Sequence, residues 1–578
     1  MFNNNANQGR GNIGTQIQPG GNNSISPLGW KELATKRPTR ARKIQRRVLS
    51  VVLILLLVAL IFSAVRIGSV VSGTDDQLTV QIGQQQPALV DLSESFPISK
   101  DLFGANVFPE NGSSSLDAPS SGFMSYDPAI AQGLANAHIN LLRFPGGQWG
   151  EQHILSCQQL NYFSGLLSEV GAEGMIQVRI SNPGDDTQTY GDLKNLSLTA
   201  RANLAGAMVD YMNNPHSSNR NARLVIGNTV NYNCETGPFH PVNLWSVGNE
   251  PDRLIDPDTG KPYTVAQYVS TFVQYSIAMH ENDPQIKVFG PEISEYLGPN
   301  AGPYDASGVP WMEGFLQGVG AYEKQHPELK FHLLDGVSFH SYQFGDNGEA
   351  PGLLMSGADE WNYLLPQLRQ EIRQYLGRDV PIAITEINSN SGANLPTKGE
   401  AALWWADTLG TLMNQQVEYV AYFSTEGVDT PYPLFSSTIT STGKVQYPQT
   451  YMYRVMQLFS HLQPNLVPVA VQRDPISLYA TQDDAHNTVS LLFINKGGVP
   501  QLAHVGSPNQ IFGAGPWHSM DVSLAPYSMV LLTLHRNGGA SAYSFDVPNI
   551  TDQAPPPQPL TYTVCGNKTD PLANTIPC

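Results

Sequence analysis

Two carboxylates close apolar runs in this 578-residue chain. Glu250 sits in NLWSVGNEPD (243–252), where the run Leu244–Gly248 gives way to Asn249, Glu250 and Pro251. Glu386 ends the run IAITE (382–386). Two carboxyl groups held about 5–5.5 Å apart can open an acetal by double displacement, one giving a proton and the other attacking as a nucleophile. The donor then needs a raised pKa, and the nucleophile must stay ionised. Arg143 in LLRFPGGQWG (141–150) is suited to hold Glu386 anionic by charge pairing, and Tyr342 or His340 in VSFHSY (337–342) to hydrogen-bond the same group. Glu292 and Glu426 end two further runs and are rivals, better suited to binding hydroxyls or pairing with a cation than to catalysis.

Such groups need a scaffold that brings run ends together. From Asp101 to about Glu426, short apolar runs alternate with stretches long enough for helices. The runs are Leu102–Phe108, Ile139–Phe144, Met175–Ile180, Leu244–Gly248, Ile286–Gly290, Gly336–His340, Pro381–Thr385 and Tyr419–Ser424; helices are expected at Ala200–Asn213, Val265–Glu281, Trp361–Leu376 and Gly399–Gln415. Alternation of this kind predicts parallel strands joined by crossover helices. Eight runs fit an α/β fold, a (β/α)8 TIM barrel, whose active sites gather at the C-terminal strand ends. An open doubly wound sheet is the alternative, but no glycine-rich nucleotide fingerprint follows the first run. Glu250 and Glu386 then end strands four and seven, three apart around the ring.

Beyond the barrel the texture changes to short strands and turns from Leu466 to His535, predicting a C-terminal antiparallel β-sandwich. LTVQIG (78–83) precedes the barrel and is expected to join it. The domain reading is a disordered basic segment over 1–47, a membrane anchor over 48–66, a linker and strand over 67–98, the barrel over 99–430, the sandwich over 431–540 and a Pro-rich tail over 541–578.

Net charge is −17, unevenly spread. Residues 1–66 hold ten Lys/Arg and one acid, Glu32; the remainder holds 22 Lys/Arg against 48 acids. An acidic body of that size repels phosphate backbones, so nucleic acid is not an expected partner. Val48–Val65 is an uncharged apolar stretch of 18 residues preceded by a basic cluster, the pattern of a single membrane-spanning helix with its N-terminal side cytoplasmic. A cleaved signal peptide is the competing reading, disfavoured by the long leader and the lack of a clear A-x-A site. Cys157, Cys234, Cys565 and Cys578 show no C-x-x-C spacing; in an exported body, Cys157–Cys234 and Cys565–Cys578 are the economical disulfides. No H-E-x-x-H spacing occurs and no catalytic metal is expected.

Three segments resemble the clan A glycoside hydrolases. VGNEPD (247–252) looks like the acid/base segment of heparanase-like β-glucuronidases, β-xylosidases and α-L-arabinofuranosidases; ITEINS (384–389) is similar to the nucleophile segment of the β-xylosidase group. RFPGG (143–147) resembles the arginine-bearing end of strand two in the heparanase-like and arabinofuranosidase groups. The resemblance implies Glu250 as acid/base, Glu386 as nucleophile, Asn249 at the sugar 2-hydroxyl, Arg143 and Tyr342 supporting Glu386, and no cofactor. It covers roughly Leu78 to His535. One departure stands out: many clan members carry a sugar-platform Trp at the end of strand eight, where this chain has Ser424-Thr425-Glu426. Trp149, Trp311, Trp404 and Trp405 are the candidate replacements, with core the better reading for the helix-borne pair 404–405.

The expected function is therefore retaining cleavage of a glycoside, oligosaccharide or polysaccharide outside the membrane. The alternative is a non-catalytic carbohydrate-binding surface protein on a degenerate barrel. A serine or metal hydrolase lacks both a G-x-S-x-G elbow and a metal cluster in the sequence.

Overall fold

The computed structural model describes residues 77–109, 126–182, 196–218, 237–344, 351–391, 395–427, 432–470, 474–506, 519–536, 539–547, 550, 557–564 and 575–576. Eight parallel strands close into a barrel: β1 (Gly104–Asn106), β2 (Leu141–Phe144), β3 (Glu173–Val178), β4 (Leu244–Val247), β5 (Lys287–Ile293), β6 (Gly336–Tyr342), β7 (Ile382–Asn388) and β8 (Tyr419–Tyr422). Closure comes from β8 against β1, with Ala421 opposite Gly104 and Tyr422 opposite Ala105. All eight runs read from the sequence are strands, and the four expected helices form at Leu198–Asn213, Val265–Asn282, Trp361–Leu376 and Lys398–Asn414.

Strand periodicity explains what the barrel places where. Leu141, Met175, Leu244, Phe289, Ala383 and Tyr419 form a separate buried apolar cluster, the plug at the N-terminal end of the barrel. Two residues further along their strands come Arg143, Gln177, Ser246, Pro291, Thr385 and Ala421. Because alternate side chains share a face, these point the same way one layer higher. The lumen thus turns from apolar to polar on approaching the C-terminal ends.

The helices are held by their starts. Val265–Asn282 and Lys398–Asn414 open with capping boxes, Thr264 with Gln267 and Thr397 with Glu400. Each box satisfies donors that the first helical turn leaves without partners.

Two antiparallel sheets form the second layer pair. One contains Gln77–Ile82 and Ala88–Asp91 beside Gln501–Gly506 and Ser519–Leu524; the other is centred on Ile476–Gln482, Thr488–Asn495 and Ser528–His535. LTVQIG joins the sandwich as expected, its Val80 opposite Ala88 on one side and Val505 on the other. Leu78, Val90, Leu491, Phe493, Val522 and Leu532 lie in the shared core. The sandwich docks on the helix Lys398–Asn414: Lys496 Nζ pairs with Asp407 at 2.7 Å and Tyr479 Oη donates to Asp407 at 2.7 Å.

Val48–Val65 lies outside the described residues, as do Cys234, Cys565 and Cys578. Among the described residues no helix is long and apolar enough to cross a membrane. Cys157 is in a disulfide.

Candidate active site

Arg143 is the hub of the barrel mouth. Its side chain is fully buried and reaches five strands or strand ends. Nη1 donates to Glu386 Oε1 at 2.8 Å and to Asn106 Oδ1 at 3.0 Å. Nη2 donates to Glu292 Oε2 at 2.8 Å and Asn249 Oδ1 at 3.0 Å, with Gln177 Oε1 at 3.4 Å. A planar guanidinium with several donors suits this; a lysine ammonium would be one point charge.

Regular alternation does not account for the two carboxylates on Arg143. Thr385 occupies the lumen position of β7, so Glu386 should face outward. The register of β7 against β6 slips between Ile384 and Glu386, and this irregularity re-aims the carboxylate inward. β5 slips likewise between Pro291 and Ile293, and Glu292 has φ 59°. Glu250, just past β4, also sits in the left-handed region at φ 46°, and its N–H donates to the carbonyl of Glu292 at 2.8 Å. Left-handed backbone costs a non-glycine residue about 1–2 kcal/mol, so two of the carboxylates are held in conformations their types disfavour.

β6 alternates normally and sends in both His340 and Tyr342. Tyr342 Oη donates to Glu386 Oε2 at 2.8 Å. His340 Nδ1 is 3.2 Å from Glu250 Oε1 and 3.6 Å from Glu386 Oε2, while Nε2 is 3.3 Å from Glu292 Oε2. Glu292 Oε2 also accepts from Thr385 Oγ1 at 3.0 Å.

Electrostatics follow from this crowding. Burial pushes Glu292 up, but Arg143 and His340 outweigh it and bring its pKa to about 2. Burial opposes charge on His340, yet Glu386, Glu250 and Glu292 push its pKa up to about 10. Burial also raises Glu250, but His340, Arg253 and Gln148 leave it below the ordinary carboxylate value. Burial and the Glu386 charge keep Tyr342 protonated, well above the usual phenol range. The Glu250–His340 pair therefore holds one proton, resting on the imidazole.

The structure thus brings together Glu250, Glu386, Asn249, Arg143, Tyr342, His340 and Glu292. Glu292 is entirely buried and anchors Arg143 and His340. The Trp149 ring lies flat on His153, 4.4 Å between centroids, and is 9% accessible. Trp311, Trp404 and Trp405 are all core. Glu426 is buried and accepts from Ser437; Asp252 braces the next loop by accepting from Ser294 N at 2.9 Å and from Ser294 Oγ.

Sequence reasoning missed five neighbours. Asn106 and Gln177 complete the Arg143 shell; Gln148 Nε2 approaches Glu250 Oε2 at 3.4 Å and Arg253 Nη1 approaches it at 3.6 Å. Phe423 packs edge-on to Phe108 (5.7 Å) and Tyr342 (6.1 Å), and a Cβ on Gly147 would lie 3.5 Å from both its ring and Glu386. An aromatic wall does stand at strand eight, one residue before the position where a Trp was sought.

No protein-family model matches the chain, and no curated protein matches its sequence. Solved structures do match its fold. An arabinofuranosidase structure aligns over 82% of this chain and 94% of its own, with TM-score 0.56 and 15% identity. A GH51 alpha-L-arabinofuranosidase from Thermotoga petrophila RKU-1 aligns over 77% and 99%, with TM-score 0.53 and 15% identity. A glycoside hydrolase family 44 xyloglucanase from Paenibacillus polymyxa aligns over 77% and 98%, with TM-score 0.50 and 12% identity. The resemblance to clan A glycoside hydrolases read from three short segments is therefore matched by the fold.

Proposed function

We propose that the protein is a retaining glycoside hydrolase acting on a glycoside, oligosaccharide or polysaccharide, with Glu386 as nucleophile and Glu250 as acid/base. The observation that carries this reading is the spacing: carboxylate oxygens of Glu250 and Glu386 lie within 4.8 Å of each other. That proximity supports the about 5–5.5 Å carboxyl spacing of retaining enzymes over the wider spacing an inverting enzyme leaves for water.

In the first step a Glu386 oxygen attacks the anomeric carbon while the bond to the leaving oxygen breaks. Arg143 and Tyr342 orient the attacking carboxylate, one on each oxygen. The leaving oxygen takes a proton from Glu250. Before a sugar binds, that proton rests on His340, 3.2 Å away. A sugar closing over the pair removes water, and in lower dielectric a neutral acid beside a neutral imidazole gains on the ion pair. The proton then passes from His340 Nδ1 to Glu250 Oε1. In the second step water attacks the anomeric carbon, Glu250 accepts the water's proton, and the bond to Glu386 breaks. Asn249 would contact the sugar 2-hydroxyl, a role supported by its carbonyl oxygen being fixed by Arg143.

A panel of aryl glycosides tests this, led by α-L-arabinofuranosides because the better-matching folds carry that name. Turnover on at least one member is expected, with the first-formed sugar retaining its anomeric configuration by proton NMR. No turnover on any, with glycan binding unchanged in Glu250→Ala and Glu386→Ala, would establish the carbohydrate-binding alternative instead.

The location proposed is membrane-anchored through Val48–Val65, N-terminus cytoplasmic and the acidic body outside, supported by the basic cluster before the stretch. Full-length protein should stay with membranes in alkaline carbonate, and protease added to intact cells should remove the body. Release into the carbonate supernatant, or protection of the body, would refute that placement.

A further inference from the structure

We infer that Glu250, His340 and Glu386 also form a binding site for one zinc-like divalent cation, and that a bound cation and a bound sugar exclude each other. The exclusion rests on the catalytic reading above; the binding does not.

The geometry is that of a ligand set. In a tetrahedral zinc site with bonds of about 2.0–2.1 Å, neighbouring donors lie about 3.3 Å apart. His340 Nδ1 is 3.2 Å from Glu250 Oε1 and 3.6 Å from Glu386 Oε2. The third edge, between the two carboxylate oxygens, is within 4.8 Å and is the one that must tighten. The three side chains are buried on the ends of three different strands, so no short sequence spacing could reveal them.

The surroundings supply what metal-binding imidazoles need. A ligating histidine usually presents its other ring nitrogen to a carboxylate, which fixes tautomer and ring orientation. His340 Nε2 faces Glu292 Oε2 at 3.3 Å, and Glu292 is itself held by Arg143 and Thr385. Glu386 Oε2 receives the Tyr342 hydroxyl at 2.8 Å and keeps a second lone pair. Glu292 and Glu386 are paired with Arg143, while Glu250 faces His340, so a divalent cation would take the place of the proton held between Glu250 and His340. One nitrogen and two oxygens with a fourth position open suit zinc. Magnesium and calcium, which demand about six or more oxygens, are poorly served.

The cation would occupy the oxygen of Glu250 that carries the proton and an oxygen of Glu386 that faces the anomeric carbon. Hydrolysis, where present, should therefore be inhibited competitively by zinc.

The test is calorimetric titration of the chelator-treated full chain with zinc chloride, with magnesium chloride as control, and visible absorption after cobalt(II) addition. One equivalent of zinc should bind, with magnesium at least about 100-fold weaker. His340→Gln and Glu386→Gln should each weaken zinc by at least about 10-fold, as losses around a metal site do. Cobalt should give the intense visible bands of four-coordination, lost in His340→Gln. Tyr342→Phe keeps all three ligands and should still bind one equivalent, which separates ligand loss from misfolding. Absence of one-to-one binding, equal affinity for magnesium, or unchanged zinc affinity in both ligand variants would overturn the proposal. Zinc binding without turnover on any glycoside would sink only the hydrolase reading; turnover without zinc binding would sink only this one.

Discussion

Glu386→Gln should lower kcat by about 10⁴–10⁶-fold, the loss seen when a covalent nucleophile is removed from a preorganised site. The fold should survive, because Gln keeps the shape: its amide oxygen can still accept from Arg143 Nη1, and its amide nitrogen can donate to the Tyr342 hydroxyl oxygen. Glu250→Ala should behave differently. With a poor leaving group, which needs its proton, the first step slows by about 10²–10⁴-fold. With an activated leaving group such as dinitrophenolate, the first step is spared and hydrolysis of the glycosyl-enzyme becomes limiting, so kcat and KM fall together. Azide should rescue each truncation with opposite stereochemistry. It attacks the intermediate of Glu250→Ala to give a glycosyl azide of retained configuration, and replaces the missing carboxylate of Glu386→Ala to give the inverted one. Residual activity within tenfold of the parent in Glu386→Gln, or azide products of the same configuration from both alanine variants, would contradict the assigned roles.

Arg143→Met should be the most destabilising single change at the barrel mouth, costing about 3–5 kcal/mol near neutral pH. Methionine fills much of the volume but leaves Glu292, Asn249 and Glu386 without their shared donor. The pH dependence identifies the cause. In the parent, Glu292 has a pKa of about 2, depressed below its ordinary value of 4.5. Its contribution to stability is therefore present above about 4.5 and lost as pH falls from there through about 2. Without Arg143, burial is left to push that carboxyl above its unfolded value. Holding it ionised then becomes a penalty that acid relieves. The gap in Tm between parent and variant should be widest at pH 7 and shrink by more than half by pH 4. A gap independent of pH would point to lost packing in place of lost charge pairing.

The barrel was legible because its strands are apolar β-branched runs bounded by polar ends, and their number could be counted along the chain. Periodicity also gives Arg143, His340 and Tyr342 their inward aim. It fails at Glu292 and Glu386, where register slips turn outward positions inward; the family-like segments, not alternation, pointed to Glu386. The helix Trp311–Gln325 went unread because Gly314, Gly318 and Gly320 lower its helical propensity. Those glycines are needed for packing: a Cβ on Gly320 would lie 2.3 Å from the Tyr375 carbonyl oxygen. Gln148, in the short helix Gly147–Gln152, meets Glu250 only through the tertiary packing of two strand ends, and Arg253 meets it through the 3-10 turn Pro251–Arg253. The tryptophans proposed as platforms are explained by a simpler rule. Large aromatic residues on helices most often fill the core, as Trp311, Trp404 and Trp405 do, and the aromatic at the end of β8 is Phe423.

A covalent glycosyl-enzyme on Glu386 can be trapped. The full chain is incubated with an activated 2-deoxy-2-fluoro derivative of whichever sugar the glycoside panel selects, then digested and analysed by mass spectrometry. The expected result is one fluoroglycosyl adduct per chain, on the peptide containing ITEINS and assigned by fragmentation to Glu386, with none in Glu386→Gln. An adduct on Glu250 or Glu292, or turnover of the parent sugar with inversion and no adduct, would rule out Glu386 as the nucleophile.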